Sequence, residues 1–272
     1  MRKVFSTVCL LLIACLGIQA AKVDTVKVRS QKMNKDIEVV TIRPDKALKG
    51  EKCPTVFLLH GYAGHAKYWL SIRPDLPEIA ERDGIIIVCP DGGHDSWYWD
   101  SPVVPNYQYE TFISKELVEY ADTHLSAIPD RSKRAITGLS MGGHGAMWNA
   151  IRNKDVFGAV GSISGGLDIR PFPNNWGMSK YIGKRDENLE VWNNYTVINQ
   201  LDRLKNGDLA IAIDCGVSDF FYGVNKAVHE RLLLMKIDHD FTSRPGAHNG
   251  TYWSNAVQYQ ILFFKNFFDK EQ

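Results

Sequence analysis

Three polar residues far apart in the chain have the types and settings of a nucleophile, its base and an orienting acid. Ser140 is the centre of Gly138-Leu139-Ser140-Met141-Gly142, a G-x-S-x-G pentapeptide between an apolar segment and a helical run. A turn that sharp holds the serine in a strained backbone conformation. Glycines two positions to either side remove side chains that would strike the neighbouring strand or helix. The hydroxyl then stands above a sheet edge, beside helix N-terminal N–H groups that favour developing negative charge. A glycine-rich turn without chemistry shares the pattern, so the rest of the chain must decide. A protonated hydroxyl is a poor nucleophile and needs a base. His248, in Arg244-Pro245-Gly246-Ala247-His248-Asn249-Gly250, can take that proton at neutral pH. Asp219 is expected to orient the imidazole and stabilise its charged form. Asp214 competes for that role, but it abuts an apolar strand and suits a backbone contact, whereas Asp219 lies out in a loop. The structural alternative for Asp219 is a cap on the helix that follows. Acyl chemistry also needs donors for an oxyanion. Met141 N–H at the elbow and Tyr62 N–H in His60-Gly61-Tyr62-Ala63-Gly64 are placed to supply them.

The elements that must hold these residues read as alternating β and α. Val26-Lys27-Val28 and Ile37 to Ile42 alternate as half-exposed strands and predict an antiparallel edge. Thr55 to Leu59 and Gly84 to Cys89 are continuous apolar runs, as in strands covered on both faces of a parallel sheet. Helical character covers Leu76 to Arg82 and Tyr109 to Leu125, where Phe112, Ile113, Leu117, Tyr120 and Leu125 follow a period near 3.6. After the elbow come a helix from about Gly142 to Asn153 and a strand from Phe157 to Ser164. From about Asp168 to Gly207, prolines, tryptophans and short helical pieces predict a small cap inserted over the sheet edge. Leu209 to Asp214 restores the rhythm as a strand, followed by a helix over Asn225 to Lys236 and a last strand leading to Arg244. A closing helix from Tyr252 to Phe268 shares Trp253, Val257, Ile261 and Phe264 on one face. The expectation is one α/β domain over 22–272, with Ser140, Asp219 and His248 all at strand C-terminal ends, where open α/β sheets place their sites.

With 272 residues and a net charge of +1, the chain has length for a large core and no basic run or acidic tail, so nucleic acid is not an expected partner. Arg2, Lys3 and the apolar run Val4 to Ile18, then Gln19-Ala20-Ala21, read as a signal peptide over 1–21, cut after Ala20 or Ala21. The run is short for a membrane span. Leu12-Ile13-Ala14-Cys15 resembles a lipobox, but the apolar run continues past Cys15, and simple export to the periplasm or medium is favoured. Of the five cysteines, Cys9 and Cys15 fall in the signal. Cys53, Cys89 and Cys215 read as buried thiols, with one disulfide left open. His124, His229 and His239 suit surface or packing positions. His65, His94 and His144, near strand ends, are candidates for a pocket lining. No metal-ligand spacing appears, and neither metal nor cofactor is expected.

In this order, the motifs make the chain similar to the esterase D-like family of α/β-hydrolases, which includes feruloyl and acetyl esterases, S-formylglutathione hydrolases and mycolyltransferases. The resemblance rests on Leu58-Leu59-His60-Gly61, Pro90-Asp91-Gly92-Gly93, Ser96-Trp97-Tyr98, Asp100-Ser101-Pro102, Gly138 to Gly143, Ser164-Gly165, Gly216-x-x-Asp219 and Pro245-Gly246-x-His248. It departs from the family form by one extra residue before Ser96. The resemblance implies an α/β-hydrolase fold and a triad of Ser140, Asp219 and His248, with Tyr62 and Met141 as oxyanion donors. It also places His60, Trp97 and Tyr98 along the substrate pocket. The implied activity is hydrolysis of a small or glycan-linked acyl ester, for which a feruloyl or acetyl group on plant polysaccharide suits an exported enzyme. Acyl transfer by the same residues, or glycan binding on a silent scaffold, are the alternatives.

Overall fold

The computed structural model describes residues 20–270. The expected signal segment, with Cys9 and Cys15, lies outside them except for Ala20 and Ala21. Eight strands form one sheet: β1 Lys22–Ser30, β2 Lys35–Arg43, β3 Thr55–Leu59, β4 Ile86–Pro90, β5 Arg134–Gly138, β6 Ala159–Ile163, β7 Ala210–Gly216 and β8 Asp240–Arg244. Their order across the sheet is β1-β2-β4-β3-β5-β6-β7-β8. β1 pairs antiparallel with β2, and β2 with β4; every pairing from β4 to β8 is parallel. This is the mostly parallel sheet with an antiparallel N-terminal edge that the residue patterns predict.

Burial explains the two kinds of strand. β3, β4, β5 and β6 are buried at every position, because helices cover both faces. Successive residues of β3 feed opposite cores. Phe57 and Leu59 join Phe112, Met147 and Val228 on one face, while Val56 and Leu58 join Trp69, Ile79, Val257 and Ile261 on the other. The closing helix Gly250–Phe268 buries Trp253, Val257, Ile261 and Phe264, the predicted stripe. The helical region 109–124 departs from one regular helix. A π turn at Phe112–Glu116 interrupts it and brings the consecutive buried residues Phe112, Ile113 and Ser114 to the core side. The stretch from Asp168 to Gly207 is a run of short helices and 3-10 turns lying on helix Met141–Arg152. Cys53, Cys89 and Cys215 are buried free thiols, and burial pushes Cys89 up to about 12. No helix among the described residues is long and apolar enough to cross a membrane.

Candidate active site

The elbow forms because β5 must turn directly into helix Met141–Arg152 against a close neighbour strand. Ser140, between them, takes φ 55° and ψ −117°, a strained setting for a residue with a side chain. Its N–H donates to Ile163 O at 2.9 Å, and its carbonyl accepts His144 N–H at 3.0 Å. The glycine spacing has a direct steric cause. A Cβ on Gly142 would sit 2.4 Å from Leu59 O and 2.5 Å from His60 O; one on Gly138 would sit 2.6 Å from Gly142 C. Backbone cannot yield as a flexible side chain would, so only glycine fits at either place.

The ends of β7 and β8 bring the other two residues to the serine. Gly216 and Gly246 let these chains nearly touch, since a Cβ on Gly216 would lie 2.4 Å from Gly246 O. Val217 N–H to Arg244 O and Ser218 N–H to Gly246 O, both 2.9 Å, continue the ladder past the strands. His248 then bridges by its two ring nitrogens: Nδ1 is 2.8 Å from Asp219 Oδ2, and Nε2 is 2.9 Å from Ser140 Oγ. The Asp219 side chain is 0 % exposed. Its second oxygen accepts Phe221 N–H at 2.8 Å, so it also fixes its own turn ahead of helix Tyr222–Leu234. Asp214 is engaged elsewhere. It is ion-paired with Arg244 and accepts the Tyr252 hydroxyl. Burial pushes its pKa up, against the pull of Tyr252 and Arg244. Aromatic rings confine His248, with Phe220 at 4.2 Å, Trp253 at 4.9 Å and Phe221 at 5.5 Å between centroids.

The loop after β3 packs against the elbow, where a Cβ on Gly61 would lie 2.6 Å from the Leu139 side chain. Among the described residues, neither Tyr62 N–H nor Met141 N–H meets a backbone acceptor. The loop is braced from behind. His60 Nδ1 donates to Gly61 O at 2.7 Å, and Nε2 accepts Gly92 N–H at 2.8 Å, which defines a neutral ring with its proton on Nδ1. Ala63, left-handed at φ 58°, donates to His94 O at 2.8 Å.

The expected pocket residues His60, Trp97 and Tyr98 require a correction. They are 1 %, 1 % and 0 % exposed and have almost no surface to offer a substrate. Trp97 and Tyr98 both take left-handed backbone, φ 53° and 59°, and both rings are buried in the body. Tyr98 donates to His60 O at 3.1 Å and packs on Gly92 and Gly145; Trp97 stacks on Trp99. These residues stand behind the cleft and shape it. His144, a candidate for the pocket lining, does not reach a pocket surface. It lies in the elbow helix, fully buried, donating from Nδ1 to Gly166 O at 2.9 Å with Trp97, Trp99 and Trp148 around its ring. Burial pushes its pKa down to about 4. His65 and His94 are exposed, and His94 packs edge-on against Tyr62. Sequence reasoning missed Trp176 and Phe220. Phe220, 53 % exposed beside His248, stacks on Trp176 at 5.9 Å. Adjacency to Asp219 was the available signal for Phe220; nothing local marks Trp176.

A serine whose hydroxyl meets an imidazole that is bridged in turn to a buried carboxylate can attack a carbonyl carbon. Comparison with known proteins agrees with that chemistry. The family model described as "Putative esterase" matches residues 30–263. An acetyl esterase of Caldicellulosiruptor saccharolyticus is 25% identical over 248 residues, covering 84% of this chain and 92% of that protein. The structure of a ferulic acid esterase superposes with a TM-score of 0.79 at 26% identity, covering 92% of this chain and 99% of the other. An S-formylglutathione hydrolase from Staphylococcus aureus, at 19% identity, shares the fold with a TM-score of 0.79 over 91% of this chain and 100% of its own. This chain therefore belongs to that esterase family, of the esterase D-like α/β-hydrolases, and is a carboxylic ester hydrolase.

Proposed function

We propose that the protein is an exported serine esterase working through Ser140, His248 and Asp219. The bridge made by His248 is the observation that carries this reading, because each of its nitrogens meets the partner its task requires. Ser140 Oγ attacks the ester carbonyl as His248 Nε2 takes its proton, and the carbonyl oxygen becomes an oxyanion facing the Tyr62 and Met141 amides. Collapse breaks the bond to the alcohol, which leaves with the proton from His248. Water then attacks the acyl-enzyme with His248 again as base, releasing the acid and restoring Ser140. Asp219 keeps the Nδ1 proton in place throughout and stabilises the charged ring.

The substrate class is an acyl ester with a small or flat aromatic acyl group, acetyl or feruloyl, free or on plant polysaccharide. The exposed Phe220 ring stacked on Trp176 beside His248 supports an aromatic group, and the names of the acetyl and ferulic acid esterases agree. A panel from p-nitrophenyl acetate and butyrate to methyl ferulate and acetylated xylan tests this. Hydrolysis in the wild type that disappears in Ser140→Ala is expected; a wild type inert on all four would contradict the proposal.

A further inference from the structure

We propose that Asp95 is a specificity-determining positioning residue: its carboxylate clasps the cap segment carrying Trp176 and so sets the aromatic wall beside His248. This rests on the esterase reading above and names what builds one side of that site. Asp95 Oδ1 accepts two phenol hydroxyls, from Tyr107 at 3.0 Å and from Tyr181. The two rings stack on each other at 4.2 Å and 12°. Tyr181 is buried in the short helix Ser179–Ile182, directly after the turn that presents Trp176. The other carboxylate oxygen lies against Gly177, where a Cβ would come within 3.1 Å of it.

That turn needs support from outside. Trp176 and Gly177 are both left-handed, at φ 51° and 65°; the bond that spans them, Met178 N–H to Asn175 O, is a long 3.4 Å, between shorter ones from Asn175 N–H to Phe172 O at 3.1 Å and Lys180 N–H to Gly177 O at 3.0 Å. A tryptophan does not hold such a backbone by preference. Asp95 holds the chain on the far side of the turn, and packing on Trp97 and Phe221 holds the ring itself. Trp176 is then kept flat on Phe220, whose ring is 4.2 Å from His248. The same loop also reaches the segment after β3, where the carbonyl of the neighbouring His94 accepts Ala63 N–H and its ring packs on Tyr62. One short segment thus joins the oxyanion loop to the aromatic wall. An ester with a flat aromatic acyl group is the substrate that would sense the spacing between them.

The test compares Tyr181→Phe, Asp95→Ala and the double variant with the wild type on methyl ferulate and p-nitrophenyl acetate. Hydrogen–deuterium exchange over residues 172–182 is followed in parallel. Tyr181→Phe removes one hydroxyl and keeps the stacked ring, so it should fold. The expected result is a fall of roughly tenfold in the ratio of kcat/KM for ferulate over acetate, carried by KM, with faster exchange in 172–182. The double variant should be no worse than the poorer single one, because both changes break one clasp. An unchanged ratio, or an equal loss on both esters with a lowered Tm, would mean that Asp95 only stabilises the fold. Unchanged exchange would remove the clasp itself. A wild type that does not hydrolyse methyl ferulate would instead defeat the aromatic-wall reading, so the failures are told apart.

Discussion

Asp214 and Asp219 lie five positions apart and separate cleanly by what their oxygens touch. Asp219→Asn should lower kcat roughly ten-thousand-fold, since the amide cannot hold the Nδ1 proton of His248 in the same way. Its oxygen can still accept Phe221 N–H, so Tm should move by only a few degrees. Asp214→Ala should do the reverse, costing about 3 kcal/mol in urea unfolding by stranding Arg244 and the Tyr252 hydroxyl, with a much smaller effect on kcat. His144 carries a pH prediction. Its pKa is near 4 when folded, against about 6.5 for a free imidazole. Between those values the unfolded chain binds the extra proton, so stability is complete above pH 6.5 and is lost as pH falls toward 4. Going from pH 7 to pH 4, the wild type should lose about 3 kcal/mol more than His144→Gln, which cannot titrate there; equal losses would contradict it. The two carboxylates were separable in the sequence because one abuts an apolar strand and the other sits in a loop. Trp97 and Tyr98 were not, because an aromatic residue lines a pocket or fills a core with equal ease. Their inward setting goes with contacts to distant residues, Tyr98 with His60 O and Trp97 with His144, that no local pattern encodes.

At the scale of elements, the site depends on how closely the chain crossings approach. Gly142→Ala would drive a methyl group into the carbonyls of Leu59 and His60, and the helix would have to shift away from β3. A cost of about 3 kcal/mol is expected, with a large drop in kcat, because the same shift carries Met141 N–H away from the proposed oxyanion position. Gly223→Ala is the control, since a Cβ there meets nothing within 4 Å. It should leave activity unchanged and Tm unchanged or slightly raised, because alanine is the better helix residue. The strands and the long helices were legible in the sequence because burial on two faces writes continuous apolar runs and burial on one face writes a stripe. The π turn at Phe112–Glu116 was not, since it preserves the apolar pattern while changing the hydrogen-bonding register. The cap was visible only as a break in rhythm. Its order comes from contacts with distant loops, such as Asp95 with Tyr181, which no local pattern encodes.

Across the molecule, the three polar residues come from loops after β5, β7 and β8, so they meet only when β5, β6, β7 and β8 have paired. A hollow of about 550 Å3 lies at the other ends of the strands, lined by Gly158, Ala210 and Asp240, and takes no part in this chemistry. Ala21 is buried and donates its N–H to Pro77 O at 3.1 Å. If the chain is exported as proposed, a cut after Ala20 keeps that contact and a cut after Ala21 discards it. Amino-terminal sequencing of the protein recovered outside the cytoplasm should therefore begin at Ala21; a start at Cys15 would show a lipid-anchored form instead.

The most direct measurement is labelling with a fluorophosphonate, followed by peptide mass mapping and assay of the remaining ester hydrolysis. One adduct per chain on Ser140, formed in step with the loss of activity and absent from Ser140→Ala, is the predicted result. An adduct on another residue, or hydrolysis that survives Ser140→Ala, would contradict the assignment of Ser140 as the nucleophile.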